Sequence, residues 1–375
     1  MAKIFGKTYR REELMQFTGD ISQIAGTKQY ELFEGKGRGV RAVDLWTGTG
    51  FVFTILLDRG MDISEARYCG KSLCWRSPAG DAHPHFFDPR GLEWLRTFFG
   101  GLLTTCGITY CGSPCRDEGE DLGLHGRISH VPADKVCLNE EWLEDDYVLS
   151  VTGKMREGVI GGRRTAIEGR ADRSAVPGED MLLTRTITTR LGESRLWLHD
   201  VVENQCFQRR PLMMHYHING GFPAVDEGAR LISPTREVRA RDEVAGTDKE
   251  DFAKFTGPVP GCLEKDYYHE MAADAAGLVR CALVNENIEG GFGFYVTYKK
   301  SQLPWFIEWK MMGERDYVVG MDPANCSVEG RDKERQRGTL QFLKPGERQE
   351  YDLEIGVLDG RQSIEAFEKL VTAAS

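Results

Sequence analysis

Apolar and polar side chains alternate along much of this chain, with the period of two that is typical of β-strands. The clearest case is a pair of segments, residues 181–190 and 195–204, in which apolar or β-branched positions alternate with charged or polar ones. Between them, residues 191–194 read Leu-Gly-Glu-Ser, which is the composition of a turn. The pattern therefore predicts a β-hairpin in the middle of the chain.

Further strands are predicted over the whole chain, and turn signals recur every roughly 8 to 15 residues, as in antiparallel proteins. Helical periodicity is scarce: residues 89–99 and 363–373 predict helices, and a weaker one begins near Arg11. No β-α-β alternation is found, which argues against a parallel α/β fold. We predict an all-β, antiparallel fold whose further strands are residues 39–45, 51–57, 147–154, 212–218, 282–285, 293–298, 306–311 and 351–357.

The chain shows no linker rich in Pro, Gly and Ser, no low-complexity tract and no internal repeat. We therefore predict a single domain spanning residues 1–375, with an N-terminal extension of about residues 1–35 packed on it. Residues 158–180 and 233–260 are rich in glycine or in charge, and are predicted to be long surface connections. Either could act as a lid.

Composition places the chain among ordinary soluble globular proteins, with 41% hydrophobic residues, 28% charged residues and a mean hydropathy of −0.41. The formal net charge of −10, without a basic block, argues against binding to nucleic acid. No segment approaches the roughly 20 apolar residues of a membrane-spanning helix, and no signal-peptide pattern is present. We expect a cytoplasmic protein that does not bind membranes.

Ten cysteines in a chain of this kind are expected to be reduced thiols that pack as small hydrophobic residues. Two pairs, Cys69 with Cys74 and Cys111 with Cys115, have spacings near those of zinc ligands. A structural zinc site requires a second pair of cysteines or histidines at matching spacing, and none is convincing. The cysteines therefore do not predict a zinc site.

A glycine-rich segment, residues 122–129, reads Leu-Gly-Leu-His-Gly-Arg-Ile-Ser and contains His125 and Arg127 two positions apart. In an extended segment both side chains leave the same face. The flanking glycines allow a ligand to approach the backbone closely. The segment is a candidate ligand-binding loop, and a turn in which His125 caps a strand end is the alternative.

A second segment, residues 213–221, is an apolar strand that places His215 and His217 on one face and is followed by Asn219. Two histidines so arranged, joined by a third histidine and a carboxylate, could hold Zn, Mn or Fe. Alternatively, one imidazole is a general acid and the other is packed or orients it. A purely structural pair is the third interpretation, and the strand by itself leaves all three open.

An aromatic strand, residues 303–310, places Glu308 and Lys310 on one face and Trp309 on the other. Aromatic rings stack on the apolar faces of sugar rings, while carboxylates and lysines hydrogen-bond hydroxyl groups. Farther along the chain, Asp322 precedes Pro323 at the end of a strand, where an ordinary turn is the alternative interpretation.

Residues 58–63, Asp-Arg-Gly-Met-Asp-Ile, follow a strand and predict a tight turn with charged groups. An ion pair or an Asx turn explains these charges, and ligand contact by Arg59 is the alternative. The sequence has no P-loop, no Gly-x-Gly-x-x-Gly after a strand and no nucleophile elbow. Nucleotide-dependent and covalent chemistries therefore have no support.

Together these motifs resemble the galactose mutarotase-like superfamily and, within it, a bacterial aldose 1-epimerase-like family long described only as a domain of unknown function. The resemblance covers nearly the whole chain, and its landmarks are residues 58–63, 100–107, 123–127, 200–204, 215–219 and 320–323. It implies an all-β, antiparallel supersandwich with a few short helices and a sugar-binding cleft on one face.

The resemblance also implies a reaction. In mutarotases a carboxylate removes the proton of the anomeric hydroxyl group while a histidine protonates the ring oxygen. The ring then opens, the C1–C2 bond rotates, and closure gives the other anomer. Such chemistry requires an acid and a base on either side of the anomeric carbon.

Carried over by position, the resemblance implies that His217 is the general acid and Asp322 the base. Related proteins have glutamate at the latter position, one methylene longer, so Glu308 is the substitute base. His125 resembles the histidine that holds the sugar, Arg127 resembles the arginine of a hexose-phosphate branch, and His215 has no counterpart in the typical mutarotase. The predicted substrate-binding residues are His125, Arg127, His215, Lys310, Arg59, Asn219 and Trp305.

The leading hypothesis is a cofactor-independent, aldose 1-epimerase-like isomerase that interconverts sugar anomers by acid-base catalysis. A second is a metal-dependent lyase or isomerase of a sugar or oxidised sugar, with His125, His215, His217 and Glu308 around one divalent ion. A third is a noncatalytic carbohydrate-binding protein. Each hypothesis expects a monosaccharide or sugar derivative as the partner, and the sequence leaves open which sugar is bound and whether the chain forms a homodimer.

Overall fold

A computed structural model of the chain describes residues 1–159, 162–163, 175–176, 178–288 and 290–374. Strands dominate. The first part contains β1 Ala2–Ile4, β2 Lys7–Tyr9, β3 Ala25–Glu31, β4 Arg41–Thr47, β5 Phe51–Leu56, β6 Asp62–Tyr68, β7 Lys71–Ser72, β8 Thr104–Ile108, β9 Cys115–Asp117, β10 Glu120–Leu122, β11 Asp134–Leu143, β12 Asp146–Val159, β13 Gly162–Arg163 and β14 Ala175–Val176. The second part contains β15 Glu179–Arg190, β16 Arg195–Asn204, β17 Arg210–His217, β18 Asn219–Gly220, β19 Arg230–Ile232, β20 Thr235–Ala240, β21 Lys265–Met271, β22 Leu278–Asn285, β23 Phe292–Lys299, β24 Trp305–Met312, β25 Tyr317–Ala324, β26 Gln341–Leu343 and β27 Arg348–Asp359.

Helices are few and short. The α-helices are α1 Arg11–Leu14, α2 Glu243–Gly246, α3 Arg331–Arg337 and α4 Arg361–Thr372. Single 3₁₀ turns occur at Ile21–Gln23, Gly35–Gly37, Pro84–Phe86, Glu93–Thr97, Ile128–His130 and Lys249–Asp251. Within the described part of the chain, no helix has both the length and the apolar character needed to cross a membrane.

Two large antiparallel sheets and a smaller one form the molecule. The first large sheet has the strand order β11-β12-β15-β16-β27-β23-β22-β19. The second has the order β20-β21-β24-β25-β17-β26, with β8 also paired to β17 and β18 to β25. The smaller sheet has the order β3-β4-β5-β6-β7. The predicted all-β, antiparallel supersandwich is confirmed.

A continuous apolar core lies between these sheets. It draws side chains from each of them, including Phe53 of β5, Leu198 of β16, Phe294 of β23 and Met321 of β25, all of which are buried. On β16 buried positions alternate with more exposed ones, so the period of two in the sequence becomes one packed face, whereas β25 is buried at every position. The core therefore fixes which face of each strand is available to a ligand.

The predicted hairpin is present as β15 and β16, which pair from Met181 with Asn204 to Thr188 with Trp197. Every other predicted strand overlaps an observed one. The predicted helix at residues 89–99 is reduced to the 3₁₀ turn Glu93–Thr97, because Gly91 has a positive φ of 50° that interrupts an α-helix. The helix predicted at residues 363–373 is α4, and α3 was not predicted.

The two predicted surface connections have different outcomes. Residues 158–180 lie mostly outside the residues that the structure describes. Residues 233–260 are more ordered than predicted, since they contain β20, which pairs with β21, and the short helix α2. The side chain of Asp242 caps that helix by accepting a hydrogen bond from the backbone N–H of Ala245 at 3.0 Å.

A buried ion network fixes the back of β17. Arg185 lies between two carboxylates, with its Nη1 2.9 Å from Asp62 Oδ1 and its Nη2 2.6 Å from Asp200 Oδ2, and all three side chains are fully buried. The hydroxyl group of Tyr216, on β17, donates a hydrogen bond to Asp200 at 2.8 Å. The network therefore joins three parts of the chain that are distant in sequence, and its tyrosine lies between the two histidines of β17.

Glu157 gives a prediction about the dependence of stability on pH. Its side chain is buried, both carboxyl oxygens lack hydrogen-bond partners among the described residues, and burial raises its pKa to about 8. An acid whose folded-state pKa lies above its unfolded-state value loses stability as pH rises between the two values. Relative to wild type, Glu157→Gln should therefore gain about 3 kcal/mol in free energy of unfolding from pH 5 to pH 8.

Urea unfolding of both proteins at several pH values measures this difference. Glu179→Gln is the matched control. Burial raises the pKa of this neighbouring carboxyl group too, but the side chain of Glu179 is less buried than that of Glu157. A difference between Glu157→Gln and wild type that stays constant with pH would show that Glu157 is ionised in the folded protein.

Candidate functional site

A cavity of about 830 Å³ opens beside the second large sheet. Its wall includes side chains from β17, β24 and β25 and from the segments that precede β8 and β11. Aromatic, imidazole and carboxylate groups meet there, among them Trp75, Phe98, His125, His217, Trp309 and Asp322. This volume lies in the usual range for small-molecule sites.

Strand β17 carries two of the cavity's imidazoles. His215 and His217 are two positions apart and therefore share one face, while Tyr216 between them points to the ion network behind the strand. Residue 215 is paired on one side with Cys106 of β8 and on the other with Ala324 of β25. Because β17 is central and fully buried, these two imidazoles have little freedom to move.

Asp322 of β25 reaches the same place from the neighbouring strand. Its Oδ1 accepts a hydrogen bond from the backbone N–H of Ile218 at 2.8 Å. Its Oδ2 lies 3.3 Å from Nε2 of His215 and 3.6 Å from Nδ1 of His217. One carboxylate therefore contacts both imidazoles, and all three side chains are buried.

The two imidazoles differ in their electrostatics. Burial lowers the pKa of His217 to about 4; Asp322 opposes this, but His215 and His125 lower it further. Burial also disfavours the charged form of His215, yet its contact with Asp322 outweighs this effect and raises its pKa above the ordinary value. In the free cluster His215 is therefore the more basic of the two imidazoles.

His125 reaches the cluster from the glycine-rich loop. Its backbone is left-handed, with a φ of 56°, so the segment is not extended as the pattern suggested. A Cβ on Gly126 would lie 2.2 Å from the carbonyl oxygen of Gly107. This glycine therefore allows two backbone segments to pack closely, and not the approach of a ligand. The imidazole lines the cavity, and its ring centroid lies 5.8 Å from that of His215 and 5.9 Å from that of His217.

Aromatic rings form the wall beside the imidazoles. Phe98 and Trp309 lie with ring centroids 5.2 Å and 5.3 Å from that of His217. Trp75 contacts both of them, at 6.1 Å and 6.2 Å. The rings are tilted to one another by 51–74° and together give an apolar wall next to acid-base groups, which suits a ligand that has an apolar face and polar edges.

Two predicted residues of β24 point away from the cavity. Trp309 lines the cavity, so alternation places Glu308 and Lys310 on the opposite face. There Glu308 lies 3.2 Å from Nε2 of His269, and Lys310 donates a hydrogen bond to the carbonyl oxygen of Asp251 at 2.9 Å. The prediction that either residue contacts a ligand in this cavity is therefore not supported. The predicted metal-ligand set of His125, His215, His217 and Glu308 is corrected as well, because Glu308 lies on the face away from the three histidines.

Arg59 is a structural residue rather than a ligand contact. It is fully buried and donates hydrogen bonds to the carbonyl oxygens of Ser129, Ala82 and Thr97 at 2.7–2.9 Å. Its guanidinium group also packs over the ring of Phe99. These contacts hold together the segments around the 3₁₀ turns before β8 and β11.

The three remaining candidates lie outside the described lining of the cavity. Arg127 packs over the ring of Tyr110 with its guanidinium carbon 4.8 Å from the ring centroid. Asn219 donates hydrogen bonds to the carbonyl oxygens of Gly101 and His217, which fixes the end of β17. Trp305 packs against Tyr268 with ring centroids 5.6 Å apart.

Several residues of the cavity were not among the predicted site residues. Trp309 was placed opposite Glu308, but strand alternation alone does not show which face meets a cavity. Phe98 lies in the segment, residues 89–99, that was predicted as a helix, and no ligand contact was predicted there. Next to the cavity, Sγ of Cys111 lies 3.8 Å from Nδ1 of His125, a contact that the spacing of the cysteines did not predict, because only the fold brings these segments together. All ten cysteines are free thiols.

Comparisons with solved structures show which proteins share this fold. A candidate aldose 1-epimerase from Klebsiella pneumoniae superposes with a TM-score of 0.84 at 23% identity, covering 94% of this chain and 90% of that one. Galactose 1-epimerase from Lactobacillus acidophilus gives a TM-score of 0.55 at 12% identity, covering 90% of this chain and 100% of that one. A galactose mutarotase-like protein from Clostridium acetobutylicum gives 0.55 at 11% identity, with coverages of 90% and 99%. These likenesses show a galactose mutarotase-like fold.

Comparison by sequence gives the family. No curated protein matches the chain. The model of a family described as a domain of unknown function, DUF4432, matches residues 37–168 and 160–357. These two segments cover most of the chain. They include the loop that carries His125 and the strands that carry His215, His217 and Asp322. The chain belongs to the DUF4432 family, and its fold is that of the galactose mutarotase-like proteins.

Proposed function

We propose that this chain is an aldose 1-epimerase-like isomerase that interconverts the anomers of a monosaccharide by acid-base catalysis. The observation that carries the proposal is the contact between Asp322 and His217, 3.6 Å apart in the wall of a cavity large enough for a sugar. An acid and a base held rigidly at this spacing, with aromatic rings beside them, match what ring opening of an aldopyranose requires.

Spacing supports these roles. The anomeric hydroxyl oxygen and the ring oxygen of an aldopyranose are bonded to the same carbon atom, so an acid and a base on either side of that carbon lie close to each other. Asp322 accepts the proton of the anomeric hydroxyl group, and His217 donates a proton to the ring oxygen. After ring opening and rotation about the C1–C2 bond, the same two transfers run in reverse and close the ring as the other anomer.

His215 supports the proton balance of this reaction. Asp322 lies within 3.6 Å of both imidazoles, so it stabilises a proton on either ring. In the free site His215 is the more basic imidazole, since its pKa is raised and that of His217 is lowered. A sugar whose ring oxygen accepts a hydrogen bond from His217 favours the protonated form of His217, and the proton then moves from one imidazole to the other.

Recognition of the sugar is assigned to the aromatic wall and to His125. Trp309 and Phe98 present apolar rings next to His217, on which the apolar face of a sugar ring stacks. His125, whose ring centroid lies 5.9 Å from that of His217, offers a hydrogen bond to a hydroxyl group.

The experiment that tests the proposal is measurement of anomer exchange by NMR on a panel of aldoses, with and without the purified protein. We expect the protein to accelerate exchange of at least one aldose, in proportion to its concentration. Saturable binding of a sugar without faster exchange would leave a carbohydrate-binding protein and remove the enzymatic proposal. Absence of both effects over the whole panel would remove any assignment to monosaccharides.

A further inference from the structure

Within the part of the chain that the structure describes, three buried nitrogen atoms of the candidate site have no hydrogen-bond partner. They are Nδ1 and Nε2 of His215 and Nδ1 of His217, in side chains that are 1% and 6% exposed. The contact of His215 with Asp322, at 3.3 Å, lacks the geometry of a hydrogen bond. Each buried polar atom left without a partner destabilises the folded state by about 1–3 kcal/mol. The cluster is therefore destabilising unless a bound group contacts these nitrogen atoms.

The spacing of the donor atoms indicates that the bound group is a metal ion. The ligand atoms of His215, His217 and Asp322 all lie within 4.8 Å of one another, and two of the separations are 3.3 Å and 3.6 Å. Ligand bonds of about 2.0–2.1 Å in a tetrahedral site place neighbouring ligand atoms about 3.3–3.5 Å apart. The cluster therefore has nearly the dimensions of a metal coordination sphere before any ion is added.

We propose that His215, His217 and Asp322 together bind one divalent ion of the first-row transition metals. Two imidazole nitrogens and one carboxylate oxygen are the donor types that zinc, cobalt, manganese and iron share. Three protein ligands leave at least one coordination position for water or a substrate oxygen, and all three residues line the cavity.

The fold holds these ligands in advance. The two histidines lie on a central strand paired on both sides, and the second oxygen of Asp322 is fixed by the backbone N–H of Ile218. Such partners orient a ligand before the ion arrives. Among the described residues, no other group of three or more histidine, cysteine or acidic side chains has this spacing.

This proposal does not rest on the proposed function, because binding of an ion is measured without sugar. The two proposals do make one joint expectation. An ion at this position takes the lone pairs that His217 and Asp322 use in acid-base catalysis, so loading with zinc should abolish anomer exchange and removal of zinc should restore it.

The test begins with protein freed of metal by dialysis against a chelator. It is titrated with Zn²⁺ by calorimetry and with Co²⁺ by visible absorption. We expect one equivalent of each ion to bind, with the d–d bands of cobalt bound by nitrogen and oxygen. Thiolate-to-cobalt charge-transfer absorption would instead place the ion at sulfur, near Cys111, and would overturn the proposal.

Variants assign the ligands. We expect His215→Ala, His217→Ala and Asp322→Asn each to weaken binding by more than about a hundredfold, since loss of partners outside the coordination sphere alone costs about tenfold to a hundredfold. The asparagine of Asp322→Asn retains an oxygen that can accept the hydrogen bond from the backbone N–H of Ile218, so we expect this variant to fold. It therefore still tests the proposal if a histidine variant does not fold. Unchanged affinity in Asp322→Asn would overturn the proposal.

His199→Ala is the matched control. His199 also lies next to an aspartate, with Nδ1 2.8 Å from Oδ1 of Asp352, but that pair is partly exposed on the first large sheet. We expect wild-type affinity for zinc in this variant. Zinc binding by a protein that never exchanges anomers would remove the proposed function and leave the metal site, whereas anomer exchange by a protein that binds no zinc would do the opposite.

Discussion

Replacing Asp322 with asparagine should lower kcat/KM for anomer exchange by about 10²- to 10⁴-fold, the usual contribution of a positioned acid or base. Asparagine has the same shape and can still accept the hydrogen bond from Ile218, so the strand should keep its geometry. It cannot take a proton from the anomeric hydroxyl group. Because the change removes an interaction made in the transition state, we expect the loss mainly in kcat.

Glu308→Gln is the matched comparison for this experiment. Glu308 was the alternative base from the sequence, but its carboxyl group lies on the opposite face of β24, next to His269. We expect its kcat/KM, corrected for the folded fraction, to remain within a few-fold of wild type. Loss of activity in Glu308→Gln with retention in Asp322→Asn would reverse the assignment of the base.

Replacing Arg185 with methionine should lower the free energy of unfolding by about 3–5 kcal/mol, because it leaves two buried carboxylates without their counter-ion. The guanidinium group contacts Asp62 and Asp200 and also donates hydrogen bonds to the hydroxyl group of Thr105 and the carbonyl oxygen of Gly60. Urea unfolding of the variant and of wild type measures the loss.

Arg156→Met is the control for that effect. Arg156 also contacts an aspartate, with Nε 2.6 Å from Oδ1 of Asp180, but its side chain is 59% exposed. Water screens such a pair, and its loss costs about 0–1 kcal/mol. Equal losses in the two arginine variants would mean that burial does not determine the strength of the Arg185 network. Because Tyr216 joins that network to β17, Arg185→Met should also lower anomer exchange in the protein that remains folded.

Local patterns were sufficient for most of the strands. The hairpin of β15 and β16 and the strand that became β17 follow from alternation, because a strand shows its two faces within its own sequence. The same alternation put His215 and His217 on one face. Where backbone conformation depended on single residues, the pattern failed: Gly91 interrupted a predicted helix, and His125 adopted a left-handed backbone in place of an extended one.

Candidate residues were harder to assign than strands. Arg59, Glu308 and Lys310 have the chemistry of site residues, yet each has its partners elsewhere in the fold. A charged side chain looks the same in a sequence whether it contacts a ligand or another part of the protein. The landmarks at residues 58–63 and 200–204 illustrate this, since Asp62 and Asp200 meet at Arg185 in the core and not in the cavity.

By itself the sequence determined an all-β antiparallel chain, a pair of histidines on one strand face, and opposite faces for Glu308 and Trp309. Only the tertiary structure decided that Trp309 faces the cavity, that Asp322 lies against both histidines, and that three of their nitrogens lack partners. The reason is that periodicity records relations between near neighbours. The contacts of the site join residues about a hundred positions apart, and the pairing of β17 with β8 and β25 brings them together.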